Sequence, residues 1–190
     1  MPRKKNLHLN RDRLLESCLA AFIQAGTLDL SLDALADSAG TSKRMLIHYF
    51  GGREALEEHA VSLLEDRLRA RFRASAFPSG ASLQSVVMAL WEQTTSRQSL
   101  GVVRLAMDLT RRSWSGSARA RRFFEEQQRQ WAEMLHEFLP DSPAVESLLQ
   151  MFQGAMLIYL VTGDREPGRR ALTRWVAAIA GAEAPQRTSC

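Results

Sequence analysis

Residues 31–50 read SLDALADSAGTSKRMLIHYF. Leu32, Leu35, Ala36 and Ala39 recur at three- and four-residue spacing, the mark of a helix with one buried face. Ser31 stands where an N-cap is wanted, and Gly40 interrupts the run where a left-handed residue costs little. Ser42 caps a second short helix that ends before Gly51-Gly52. Two short helices joined by a tight glycine-containing turn describe a helix-turn-helix. Ala36 is small where the helices must cross, and Leu35, Leu46 and Phe50 can anchor the pair on a core.

The second helix opens with Lys43 and Arg44, at the end where its dipole is already positive. Internal packing does not call for that arrangement, but an external anion does. Backbone N–H groups at this end, helped by Ser42, suit a DNA phosphate. Lys43 and Arg44 can reach base edges in the major groove, guanine being the natural target of arginine. His48 and Tyr49 project towards solvent or a groove. A surface helix that merely carries two cations is the plainer alternative. The turn and the basic arm of Arg3, Lys4, Lys5, Arg11 and Arg13 weigh against it.

The rest of the chain reads as helix, because no run alternates like a strand. A first helix is expected from Asn10 to a stop at Gly26, with Leu15, Leu19, Phe22 and Ile23 inward. A fourth covers REALEEHAVSLLEDRLRARFRAS, and five more are expected near 82–96, 99–112, 117–139, 143–162 and 167–181. FPSGAS (77–82) breaks the periodicity and marks the boundary between a domain at 1–76 and another at 77–190.

Residues 11–56 resemble the DNA-binding region of the tetracycline-repressor (TetR) family of bacterial regulators. RDRLLESCLAAFIQAG is similar to that family's first helix, and SLDALADSAGTSKRMLIHYFGGREAL to its helix-turn-helix and the entry to its fourth helix. The resemblance implies an all-α homodimer that reads a palindromic DNA operator. It also implies a C-terminal domain for effector binding and dimerisation, and repression relieved by the effector. Ile47 stands where the family generally has a phosphate-binding tyrosine, with Tyr49 or His48 as substitutes. Arg53 replaces a lysine and keeps its charge. The DNA-binding set expected is Ser31, Ser42, Lys43, Arg44, His48, Tyr49 and Arg53, with Lys4 and Lys5 from the arm.

In the C-terminal half, Met and Trp on apolar stripes suit a pliable pocket for a bulky apolar or aromatic effector. The candidates are Met88, Trp91, Met107, Trp131, Met134, His136, Phe152 and Met156. Plain core packing is the competing explanation for each of them. The last two helices are the expected dimer interface, through Leu149, Phe152, Met156, Leu172, Trp175, Val176 and Ile179. Gly154 and Ala155 would allow close approach.

The chain has 190 residues, 45% of them hydrophobic, and a formal charge of +4, which permits a polyanionic partner without requiring one. Cys18 and Cys190 suggest neither a disulfide framework nor a zinc site. MPRKKNLHLN lacks the apolar stretch of a secretory signal, and AMLIYLV (155–161) is too short to span a bilayer, so a cytoplasmic protein with no membrane partner is expected. Histidines at 8, 48, 59 and 136 have no metal-site spacing, SWSGS is not a nucleophile elbow, and no glycine-rich phosphate loop occurs. Neither an enzyme nor a cofactor is expected. A helical protein-binding adaptor with a degenerate DNA-binding head is the alternative function, supported by Ile47 alone.

Overall fold

The computed structural model describes the backbone of residues 2–74, 77–78, 80–140 and 142–183, and the side chains of 10–71, 77–78, 80–140 and 143–179. Among the described residues there are nine helices and no strand. They are α1 (Pro2–Ala25), α2 (Leu32–Ser38), α3 (Lys43–Phe50), α4 (Arg53–Ala74), α5 (Leu83–Thr94), α6 (Leu100–Trp114), α7 (Ala118–His136), α8 (Ser142–Thr162) and α9 (Glu166–Glu183). The all-α class read from the sequence is the class observed. α1 begins at Pro2, not Asn10: proline suits a first helical position, and nothing in RKKNLHL breaks the helix after it. It stops as expected at Gly26, whose φ of 70° lets its N–H return to the Phe22 carbonyl at 2.8 Å.

The helices group into two compact units that interleave along the chain: Met1–Ala76 with Leu100–Phe124, and Phe77–Ser99 with Glu125–Cys190. The first, called the head below, therefore includes α6 and the start of α7 as well as the helix-turn-helix. Its core joins Leu19 and Phe22 of α1, Leu35, Leu46, Phe50, Leu56 and Leu64 of α2 to α4, and Leu105, Leu109 and Phe123. Cys18 lies within this core, and burial pushes its thiol up to about 11, so it packs as a neutral, small apolar group.

Two features fix α6 in the head. Gly101 lies so close to α1 that an added Cβ would stand 2.4 Å from the Ile23 carbonyl oxygen. Gly101→Ala is expected to destabilise the protein by about 2 kcal/mol, because a backbone atom has to move; an unchanged urea midpoint would contradict this contact. The second feature is Asp108, whose Oδ2 accepts from the Thr27 hydroxyl and the Leu28 N–H, each at 3.0 Å. Arg111 and Arg112 bond the same carboxylate, at 2.6 and 3.2 Å, and both reach across to Asp29. Arg112 also meets Glu57 of α4 at 3.3 Å. The connector 27–30, which leads into the cap of α2, is thus tied to α6 through Asp108 and through the two arginines that reach Asp29. Burial raises the Asp108 pKa, but the hydrogen bonds from Leu28, Arg111 and Thr27 and the charge of Arg112 outweigh it. The net pKa lies below the ordinary aspartate value.

The second unit is built on α5, α8 and α9. Ser82 caps α5 by accepting from the Ser85 N–H at 3.2 Å, and Val86, Val87, Leu90 and Trp91 are its buried face. Leu148, Ala155 and Met156 of α8 and Leu172 and Val176 of α9 complete the interior. The other side of α8 is apolar yet open: Leu157, Ile158 and Val161 are 57, 51 and 78% exposed. The segment Pro143–Thr162 is long and apolar enough to cross a bilayer, with a mean hydropathy of 1.4. The run 155–161 weighed in the sequence is the C-terminal part of this segment.

Candidate nucleic-acid interface

α2 and α3 are short helices, and their ends are closed by their own side chains. The Ser31 Oγ accepts from the Ala34 N–H at 3.1 Å, and the Ser42 Oγ from the Met45 N–H at 3.3 Å. Each hydroxyl keeps its own O–H free to donate outward. Gly40, at φ 61°, turns the chain between the helices, and the Thr41 N–H reaches the Ala36 carbonyl at 2.9 Å. Gly51 ends α3 in the left-handed region at φ 84°. Leu46 and Phe50 are buried, while Lys43, Arg44, Met45, Ile47 and His48 are exposed. α3 is therefore pinned along one side and presents a cationic start with an apolar middle along the other.

The expected contacts do not all stand alike. Arg44 is exposed and has no ion pair among the described residues, so its guanidinium is available. Lys43 reaches Asp33 at 3.1 Å, a solvent-exposed pair that costs little to break. His48 is exposed and meets the half-buried Tyr49 edge-on, with ring centroids 5.4 Å apart. Arg53 is turned inward: its Nε bonds Glu57 at 2.7 Å, and its Nη atoms donate to the carbonyls of Leu30 at 2.6 Å and Leu28 at 2.9 Å. The guanidinium fork fits two adjacent carbonyls that a lysine would reach only singly. Lys4 and Lys5 lie outside the residues whose side chains are described. Arg11 donates to the His59 Nε2 at 2.9 Å and lies over the Phe50 ring at 5.1 Å, which ties it to the head.

Sequence reasoning missed two features here. The spacing D-x-x-R-R at 108–112 announces an ion pair on α6, but its partners at 27–29 are some eighty residues away. In the sequence Arg13 reads only as part of a basic arm, yet it lines a cleft with Asn10, Thr41 and Tyr49.

The residues expected to bind an effector fall in both units. Met107 is on α6 in the head, where the contacts of Gly101 and Asp108 hold that helix; the other seven lie in the second unit. Trp91 is fully buried, edge-on to Phe152 at 5.5 Å and to Tyr159 at 6.4 Å, and Trp131 stacks on Phe152 at 6.4 Å. The Trp91 Nε1 donor, buried among these rings, has no hydrogen-bond partner. Met88 accepts from the Thr173 hydroxyl at 3.4 Å, Met156 is buried, and Met134 and His136 are half-buried. Of the expected interface, Met156, Leu172 and Val176 are buried inside the unit by the packing of α8 and α9 on α5. Leu149, Phe152, Trp175 and Ile179 are half-buried. The outward stripe is instead Gly154, Leu157, Ile158 and Val161.

Residues 14–60 match the family model of bacterial regulatory proteins, tetR family. Among solved structures, a tetR-family transcriptional regulator from Streptomyces coelicolor is similar at a TM-score of 0.69 and 21% identity, over 92% of this chain and 80% of that one. A TetR transcription regulator from Haloarcula marismortui is similar at 0.65 and 16% identity, over 89% of this chain and 97% of that one. The multidrug binding protein EbrR, in complex with proflavin, is similar at 0.64 and 21% identity, over 87% of this chain and 99% of that one. No curated protein matches the chain significantly.

Proposed function

With residues 14–60 a tetR-family segment, set in the fold of that family's regulators, we propose that this protein is a ligand-responsive DNA-binding regulator. In this reading it is a cytoplasmic repressor, released from a palindromic operator by a small apolar or aromatic effector. The observation that carries the reading is the free Arg44 at the start of a helix anchored by Leu46 and Phe50. Its outward face opens with Lys43 and Arg44 beside the Ser42 cap, which suits recognition of a polyanion better than catalysis. The test is protection of a site in the protein's own promoter region, with affinity falling steeply as salt rises. Flat salt dependence, or no protected site, would count against it. Arg44→Ala is expected to weaken operator binding by roughly 1–3 kcal/mol and to relax base preference at one position. Competition between operators differing at single positions separates this from a phosphate contact, whose loss weakens all sequences alike.

Two observations support the finer parts of the reading. The ring cluster of Trp91, Phe152, Trp131 and Tyr159, in which all but Trp91 are half-buried, favours a flat aromatic effector. Proflavin, the ligand in the EbrR structure, is a first compound to try. Dimerisation is supported by the outward stripe of α8, since its spacing at i, i+3, i+4 and i+7 is that of a helix seam. Gly154 has open space at its Cβ position, and Ala171 of α9 is exposed. α8 is apolar on two opposite sides: one packs inside the unit and the other fits a second copy. A lipid-exposed role suits it less, because Glu146, Gln150 and Gln153 interrupt the segment.

A further inference from the structure

Beside the turn between α2 and α3 lies an open cleft of about 270 Å³, whose far wall is α1. Arg13 and Asn10 line it from α1, Thr41 from the turn and Tyr49 from α3. Arg13 is exposed and has no ion pair among the described residues, whereas Arg11 is occupied by His59 and Phe50. Gly40 leaves the rim without a side chain, and nothing lies within 4 Å of where its Cβ would stand. The cleft therefore gathers a cation, an amide and three hydroxyls from three elements, with no carboxylate among its lining residues; the Ser17 hydroxyl donates to the Arg13 carbonyl at 3.0 Å, which leaves those of Thr41 and Tyr49 to face a ligand.

We propose that this cleft seats a backbone phosphodiester of the DNA, with Arg13 as its charge partner and Asn10, Thr41 and Tyr49 as hydrogen-bond donors. The inference rests on the DNA-binding reading and adds a site to it. It also accounts for Ile47. An apolar side chain on the outer face of α3 cannot bond a phosphate, and the contact is transferred to Tyr49 and to a helix outside the helix-turn-helix. Arg13 thus fixes the angle at which α3 meets the groove, while Arg44 reads the base.

The experiment measures binding of the full chain to two duplexes, one selected by the protein from a random library and one unselected, over a series of salt concentrations. Arg13→Ala is expected to weaken both and to lower the salt slope by about one for each bound head, about two for a dimer, whereas Arg13→Lys keeps the slope. Tyr49→Phe is expected to weaken both about five-fold for each bound head, the loss of one hydrogen bond apiece. Inorganic phosphate added at constant ionic strength should leave duplex binding unchanged. Displacement of the duplex that depends on Arg13 would mark a free-anion site and overturn the assignment. A wild-type slope in Arg13→Ala, in a protein whose Arg44→Ala variant still loses base preference, removes the cleft but leaves the regulator. A wild-type protein that binds neither duplex overturns both.

Discussion

Replacing Asp108 with alanine is expected to lower the stability of the head by about 3 kcal/mol, the scale for removing one partner of a largely buried, hydrogen-bonded ion pair. The Asp108 side chain is only 8% exposed, and its loss leaves the Thr27 hydroxyl, the Leu28 N–H and two arginines short of an acceptor. The midpoint of urea unfolding, followed by far-ultraviolet circular dichroism, reads the effect. Asp108→Asn separates charge from geometry, since an amide oxygen still accepts from Leu28 but no longer attracts Arg111 and Arg112. The pH dependence has a definite sign. Because the folded carboxyl titrates below its unfolded value, its contribution is full above about pH 4 and is lost as pH falls through the folded pKa. The stability gap between the wild type and Asp108→Asn should therefore be flat near neutrality and shrink in acid. A gap that grew in acid would contradict the ion-pair assignment.

Leu157→Glu is expected to have the larger functional effect. In an isologous interface the same stripe faces its own copy, so one substitution buries two like charges near the symmetry axis. Leu157 is exposed within the chain, so the fold of the single subunit should survive with its circular dichroism unchanged. The expected outcome is a monomer by sedimentation at concentrations where the wild type is dimeric. Affinity for a palindromic operator should fall by about two orders of magnitude or more, because the second head is no longer tethered to the first. A variant that stayed dimeric would show that α8 does not form the seam. A monomeric variant that kept full operator affinity would show that the heads bind independently.

What could be read in advance follows from the range of the interactions involved. The caps at Ser31 and Ser42, the glycine turns and the buried positions 35, 46 and 50 are local, and residues within one or two turns settle them. The helix-turn-helix and the order of the helices were legible for that reason. The role of Arg53 was not, because its carbonyl partners at 28 and 30 belong to a connector folded back from another part of the chain. The α8–α9 pair shows the same limit. Periodicity announced that α8 is apolar on more than one side, but which side faces inward depends on how α5 and α9 pack. Leu172 and Val176 went to the interior and Leu157, Ile158 and Val161 to the surface. Met107 lay on a correctly placed helix whose compact unit no local pattern reveals.

The interleaving of the two units has a consequence for how this head can be inherited or transplanted. A head confined to one continuous segment can be exchanged between proteins by a single crossover. Here the segment 1–76 lacks Leu105, Leu109 and Phe123 of its own core, and without Asp108 its connector has lost its acceptor. A functional graft has to carry residues 100–124 with it, through two further junctions, the last of them inside α7. Recombination that exchanges the second unit while keeping the head is thereby restricted, and α6 has to evolve with the head it braces.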